Sequence, residues 1–406
     1  MRSACVGAVY LMALGAGGRD VQALTPGPSP SETVHCVDGG RGEPSTEAKT
    51  ESGFLPTLSP RSRGERFARE RVVAKQPGEG LCFTTAELPP LRFTFTSTHM
   101  GTEWRITLFA ADKAAAEKAK TAAFDRVAAL DRTMTDYDPK SELVRLCVAN
   151  DTAPGKPIAV GDDLFRVLAH AQEVSAECDG AFDITVGPLV KLWRAARKSK
   201  QLPDAKELAA AKELVDYKLL TLDAKAKTVA LKKAGMRLDL GGIGKGFAAD
   251  EAMAVLKASG VTSALIAASG DITVSDAPPD KDAWVVEIAP IGKGEPARYV
   301  KLKNASVSTS GDLFQFVEIS NVRYSHVLDP KTGLGLTGRR SATVIASPGW
   351  RADAMTKAAS VLSPEQAVKW IEKQTDAAAY IVVKAAGDAK PVATESERFK
   401  QFVAEE

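Results

Sequence analysis

Apolar and polar residues alternate along this chain with two distinct periods. Over residues 92–97 and 104–110 the apolar positions recur every second residue, on either side of His99-Met-Gly-Thr102, which predicts two paired strands around a turn. Residues 113–134 switch to helical spacing, with Phe124, Val127, Leu130 and Met134 near one face. The clearest amphipathic helix covers 162–178, where Leu164, Val167, Leu168, Ala171 and Val174 share a stripe and Asp179-Gly180 ends it. His170 lies off that stripe and reads as a solvated histidine. Shorter helices are predicted from Ser141 to about Cys147 and over 189–196, with a Lys- and Ala-rich surface helix within 198–217.

Further strands are predicted at 219–222, 228–231, 263–268, 284–288, 297–302, 305–308, 342–346 and 377–384. Two more, 316–319 and 323–327, form a hairpin across Ser320-Asn321. A helix over 350–361 is followed by another that opens at Ser363-Pro-Glu-Gln366, with an N-cap serine, a proline at the first helical position and a capping-box glutamine. Strands thus occur in hairpins as well as beside helices. The expected class is mixed α+β rather than a regularly alternating parallel sheet.

The pattern is organised around Leu238-Asp-Leu-Gly-Gly-Ile-Gly-Lys-Gly-Phe-Ala-Ala-Asp250. Residues 236–240 read as a strand, the glycines as a turn, and 247–259 as a helix. Backbone without side chains can approach a ligand closely there, and a helix N-terminus favours an anion such as phosphate. Lys245 adds a positive charge. The alternative is a tight strand-to-helix connection with no ligand. No hydroxyl follows Lys245, so this is not a Walker A motif, and the G-x-G-x-G spacing from Gly242 is not that of a dinucleotide-binding fingerprint.

Composition narrows the classes. A formal charge of +2 and sparse aromatic residues argue against a nucleic-acid partner. Five cysteines, with no C-x-x-C spacing, give neither a zinc site nor a disulfide framework. Residues 1–23 form a weak leader-like pattern: Arg2, an apolar stretch from 4 to 16, the polar insert Gly17-Gly-Arg-Asp20, then Val21-Gln-Ala23. No run of eighteen apolar residues exists to span a membrane. Residues 24–90 are rich in Pro, Gly, Ser, Arg and Glu, the composition of a disordered linker. The folded domain is expected over 91–400.

Two further positions are candidates for chemistry. Asp353 falls in the first turn of the helix over 350–361, with Thr356 and Lys357 on its face. It is either a carboxylate compensating the helix dipole or a hard-oxygen ligand for magnesium on a pyrophosphate. His326 stands in an alternating strand before the turn Asp329-Pro-Lys-Thr-Gly333, following the stretch Thr309-Ser-Gly-Asp312. It is either a structural histidine bonded to its sheet or a general base facing a cleft.

Taken together these stretches resemble the ApbE family, the FAD:protein FMN transferases. The resemblance rests on His99-Met-Gly-Thr102, Tyr137-Asp-Pro-Lys-Ser-Glu-Leu143, Phe182-Asp-Ile-Thr-Val-Gly-Pro188, residues 238–247, Ser308-Thr-Ser-Gly-Asp312, residues 324–333 and Ala352-Asp-Ala-Met355, in the family's order. It implies a single α+β domain of the T-fold-like flavin transferase kind, with antiparallel or mixed sheets and packed helices. It also implies FAD as substrate, Mg2+ on its pyrophosphate, and transfer of FMN to a threonine or serine of an acceptor flavoprotein with release of AMP. By the same resemblance Met100 and Tyr137 lie along the flavin, and Asp183, Gly242, Lys245, Thr309 and Gly311 hold FAD. Gly244 offers a carbonyl to the metal, Asp353 a carboxylate, and His326 is the base. Export to the periplasm, with peripheral membrane association through the acceptor, belongs to the same implication.

Two residues depart from the family's pattern. Many relatives carry threonine four residues after the metal aspartate, where this chain has Lys357; Thr356 then takes over as ligand, or Lys357 supplies part of the metal's charge, or metal affinity falls. Gly244 stands where alanine is common. Two other functions remain consistent with the same residues: an FAD pyrophosphatase using water as nucleophile, and a flavin-binding protein without turnover.

Overall fold

The computed structural model describes residues 89–404 apart from 292–296, 312–314 and 385–389. The expected leader over 1–23, nearly all of the linker over 24–90, and Asp312 lie outside the described residues.

The first alternation builds a hairpin of β1 (Leu91–His99) and β2 (Thr102–Ala110), paired in register from Leu91–Ala110 to His99–Thr102. Its two-residue loop, Met100-Gly101, has positive φ at both positions (48° and 73°), as a type I′ turn requires. Next come α1 (Lys113–Met134), α2 (Glu142–Thr152), the short β3 (Ile158–Ala159), α3 (Asp162–Glu177), α4 (Gly187–Ser199) and α5 (Ala205–Lys212). β4 (Leu220–Asp223) and β5 (Thr228–Leu231) pair as a hairpin, and α6 (Gly244–Ala258) follows. The C-terminal half holds β6 (Ala264–Ala268), β7 (Asp271–Val274), β8 (Trp284–Ile288), β9 (Arg298–Leu302), β10 (Ala305–Gly311), β11 (Phe316–Ile319), β12 (Val322–Leu328), β13 (Gly335–Thr337) and β14 (Arg339–Ala346). It ends with α7 (Gly349–Val361), α8 (Pro364–Glu372), β15 (Ala378–Lys384) and β16 (Val392–Glu395).

Eight of these strands form an antiparallel sheet in the order β1-β2-β6-β7-β10-β14-β15-β16. One face carries the main core, in which Trp104, Ile106 and Leu108 of β2 meet apolar residues of α1, α3, α6 and α7. The other face is covered by the β8–β9 hairpin through Trp284, Val286, Val300 and Leu302. A third cluster packs Leu189 and Trp193 of α4 against Val317 and Ile319 of β11. Among the described residues no helix is long and apolar enough to cross a membrane.

Several expectations are corrected. Residues 236–240 form no strand: the Arg237 bridge to Val186 and the Asp239 N–H to the Ile184 carbonyl are pairings of an extended segment whose Met236, Leu238 and Leu240 are buried in the core. The alternation there reflects packing rather than a ladder. The helix begins at Gly244, so Lys245 and Gly246 belong to its first turn rather than to the connection before it. The surface helix shrinks to α5, because Lys200 takes a left-handed φ of 59° and Asp204 caps a new start with its carboxylate on the Lys206 and Glu207 N–H groups. The helix opened by Ser141 runs on to Thr152. His170 is half-buried, stacked 4.0 Å from the Trp350 ring, and burial lowers its pKa. The capping box at Ser363 and Gln366 forms as expected, as does the Ser320-Asn321 turn with both φ values positive.

The helix that carries the candidate site is α7, buried nearly all round, which its small residues Ala352, Ala354, Ala358 and Ala359 permit. It approaches α6 so closely that a Cβ on Gly246 would lie 2.4 Å from the Gly349 carbonyl oxygen. Asp250 of α6 accepts from the Gly349 and Trp350 N–H groups at 2.8 and 2.9 Å, capping the N-terminus of α7. At Gly244 the nearest atom to an added Cβ is 3.9 Å away. Gly246→Ala should therefore destabilise the protein by about 3 kcal/mol or more, since backbone must move to admit the methyl group, whereas Gly244→Ala should change stability by less than about 1 kcal/mol. Urea denaturation of the two variants checks this; equal effects would contradict the close helix approach.

Candidate active site

The glycine segment meets α7 at a buried carboxylate. Asp353 has no exposed surface. Its Oδ2 accepts the Gly246 N–H at 3.1 Å and lies 4.0 Å from Lys245 Nζ, and its Oδ1 lies 2.5 Å from Lys357 Nζ. Burial alone would raise the pKa of Asp353, but the two ammonium groups and the N–H donors outweigh it and hold the carboxyl below its usual range. The anion that the N-terminus of α6 was expected to attract is thus, in part, the protein's own.

Lys245 also reaches Asp271 Oδ2 at 3.0 Å. Burial disfavours its charge, yet the Asp271 and Asp353 carboxylates more than compensate, so the ammonium is retained. Asp271 opens β7 and accepts from Ser308 Oγ on the neighbouring β10. One residue on, the Thr309 N–H donates to the Gly270 carbonyl at 2.9 Å, and its hydroxyl lies 3.0 Å from that of Thr343. Gly311 lines a small cavity with Ser325, the neighbour of His326.

His326 projects from β12, a strand packed against α7. Its Nδ1 lies 3.1 Å from the Gln315 carbonyl oxygen. A carbonyl can only accept, so Nδ1 carries the proton and Nε2 keeps the lone pair. Burial, and then the positive charge of Lys357, lower its pKa to about 4. The imidazole is neutral at physiological pH.

The remaining expected residues fall into three places. Gly242 sits against Lys357 and Phe182: an added Cβ would meet Lys357 Cγ at 3.1 Å and Phe182 Cε2 at 3.2 Å. Asp183, next to Phe182, turns its carboxylate inward to the Thr185 N–H and hydroxyl at 2.7 and 2.6 Å, and burial raises its pKa to about 6. Tyr137 is 77% exposed, and the Arg194 guanidinium lies over its ring at 4.3 Å. Arg194 also binds Asp136 at 2.6 Å and Asp239 at 3.4 Å, while Asp239 accepts the Gly241 N–H at 2.8 Å, which ties the tyrosine to the glycine segment. Met100 is placed by its own N–H on Asp131 at 2.8 Å, in the left-handed conformation that a bulky residue seldom adopts.

Asp271, Arg194, Asp239 and Gly246 were not singled out from the sequence. Asp239 and Gly246 lie inside the glycine motif, and Asp271 follows Ser269-Gly270, the two residues between β6 and β7, so position alone could have flagged them. Arg194 carries no such signal and looks like a solvated helix residue.

Magnesium asks for oxygen ligands at about 2.0–2.1 Å in near-octahedral geometry. The two side-chain oxygens expected to bind it, Asp353 Oδ1 and Thr356 Oγ1, already share the Lys357 ammonium, and Thr356 donates to the Asp353 carbonyl at 2.7 Å. Like unit charges 4 Å apart repel by about 4 kcal/mol at an effective dielectric constant of 20, and a dication doubles that. As arranged, these residues do not fit a divalent ion. Among the described residues there is also no cluster of three or more His, Cys, Asp or Glu suited to a metal.

The family model described as the ApbE family matches residues 100–381. The chain belongs to the ApbE family. It is 31% identical over 292 residues to the FAD:protein FMN transferase of Klebsiella pneumoniae (strain 342), covering 70% of this chain and 82% of that protein. It is 29% identical over 314 residues to the FAD:protein FMN transferase of Escherichia coli (strain K12), covering 76% and 88%. Among solved structures it resembles the apo flavinyl transferase ApbE of Pseudomonas stutzeri, with a TM-score of 0.68, 29% identity, and 77% of this chain and 97% of that one covered. The ApbE protein of Thermotoga maritima gives a TM-score of 0.69 at 27% identity, covering 78% and 100%. The matched residues, 100–381, include every candidate site residue.

Removing one partner of a buried ion pair leaves the other charge unpaired. Lys357→Met should lower stability by about 3 kcal/mol, the low end for such pairs because Lys245 and the Gly246 N–H remain on Asp353. Urea denaturation measures it, and a loss under about 1 kcal/mol would mean that Lys357 is not held on Asp353.

Proposed function

We propose that this ApbE protein transfers FMN from FAD to the hydroxyl of a threonine or serine on an acceptor flavoprotein and releases AMP. The observation that carries this reading is a neutral histidine, with its lone pair on Nε2, standing within the field of two lysines at a glycine-rich helix start. Lys245 and Lys357 suit the pyrophosphate, and His326 suits the incoming hydroxyl. In the step, the acceptor oxygen forms a bond to the FMN phosphorus and the bridging P–O bond breaks towards AMP. The hydroxyl proton passes to His326 Nε2. Such transfer depends mainly on positioning and on charge neutralisation, which fixed ammonium groups supply without reorganising.

On this reading the exposed Tyr137 ring, backed by Arg194, and the Met100 turn border the flavin, while Gly242, Thr309 and Gly311 leave backbone room beside it. Asp183 acts by bracing the Phe182 loop against Gly242. Export, and membrane association through the acceptor, rest on the leader-like residues 1–23 and on family habit.

Incubation of the full chain with FAD and a threonine-bearing acceptor domain tests the proposal by intact mass. A gain of one FMN unit with AMP released is expected; AMP without the mass gain would point to the pyrophosphatase, and neither product to a flavin binder. His326→Ala should reduce transfer by a factor of about 100 or more while FAD binding, followed by flavin fluorescence, stays intact. The base works unprotonated, and its pKa is depressed to about 4, so activity should hold as pH falls through 6.5 and drop only near 4. An acid limb at the ordinary histidine value would contradict the lowered pKa of His326.

A further inference from the structure

Lys357 follows Asp353 by four residues, so one helical turn brings its ammonium back over the carboxylate. Nζ lies 2.5 Å from Asp353 Oδ1 and 3.0 Å from Thr356 Oγ1. These are the two side-chain oxygens that a divalent cation would need. The lysine stem is held as well, since the Cβ position of Gly242 falls 3.1 Å from its Cγ and 3.7 Å from its Cε, and the side chain is 19% exposed. The ammonium is therefore fixed against the glycine segment rather than trailing in solvent. It has three N–H donors, of which Asp353 and Thr356 engage two.

The charges point the same way. Lys245 and Lys357 face Asp353 and Asp271, so the four groups cancel formally before any ion is added. A dication inserted here would meet two ammonium groups, whereas a pyrophosphate would meet a donor left free for it.

Resting on the transferase reading, we infer that Lys357 is a built-in cation: its ammonium takes the place of a divalent metal on Asp353 and Thr356, and this chain turns over FAD without one. The acceptor oxygen joins the FMN phosphorus, the bridging P–O bond breaks with its electron pair leaving on AMP, and the proton goes to His326. The free N–H of Lys357 faces the phosphate oxygens while this occurs.

The test uses the full chain after chelator treatment, with manganese as the probe ion, and compares it with Lys357→Thr. Manganese uptake is followed by the loss of its free-ion electron paramagnetic resonance signal, with FAD present and absent; AMP release is measured with and without EDTA. The unaltered chain should take up no manganese at millimolar concentration, gain no melting temperature from it, and release AMP at the same rate, within about twofold, in EDTA. Lys357→Thr should bind one ion, be stabilised by it, and lose AMP release by about tenfold or more in EDTA. Stoichiometric uptake by the unaltered chain would overturn the inference, as would absence of uptake by a Lys357→Thr protein whose circular dichroism shows it folded. The uptake measurement on the unaltered chain decides even if the variant does not fold. If no AMP appears under any condition, the transferase reading fails while the manganese result still judges the cation site.

Discussion

A carboxylate with no exposed surface has to find its counter-charges inside the protein, and Asp353 finds them on three sides. Lys357 comes from its own helix, Lys245 and the Gly246 N–H from the first turn of α6. Lys245 then ties the pair of helices to the central sheet through Asp271, whose other oxygen takes the Ser308 hydroxyl on β10. One buried charge thus holds two helices and two strands in a fixed relation. Left unpaired, it would cost several kcal/mol, a sizeable share of the margin that keeps a domain folded.

That relation is possible because backbone meets backbone. Gly246 lets the Gly349 carbonyl approach α6, and Asp250 caps the start of α7, so both ends of the contact are set by α6. A helix rich in small residues can then be buried nearly all round and still present Asp353 and Lys357 at the glycine segment. The strand that carries His326 packs against the same helix, which brings a neutral imidazole into the field of the two lysines. A second chain of polar contacts, from Tyr137 through Arg194 and Asp239 to Gly241, borders the segment on its other side.

Much of this arrangement can be read from residue order. The β1–β2 hairpin, the α3 stripe, the Ser320-Asn321 turn and the Ser363 capping box follow local rules, and each forms as those rules require. The glycine turn with Lys245, and His326 ahead of the Asp329-Pro-Lys-Thr-Gly333 turn, are also visible in the sequence. What escapes is tertiary. Lys357 and Asp353 look like an ordinary solvated i,i+4 pair until α7 proves buried nearly all round. Residues 236–240 alternate like a strand because they pack into the core, and their pairings with Ile184 and Val186 do not extend into a ladder. Arg194 resembles any surface arginine on a helix, and only the folded chain sets it over Tyr137.

What occupies Asp353 decides the chemistry of this site. Anomalous scattering from crystals of the full chain soaked in manganese and FAD reads this directly. No anomalous peak should lie within bonding distance, about 2.0–2.6 Å, of Asp353 or Thr356, and Lys357 Nζ should remain on both oxygens. A manganese peak bound to Asp353, with Lys357 turned away, would contradict this arrangement.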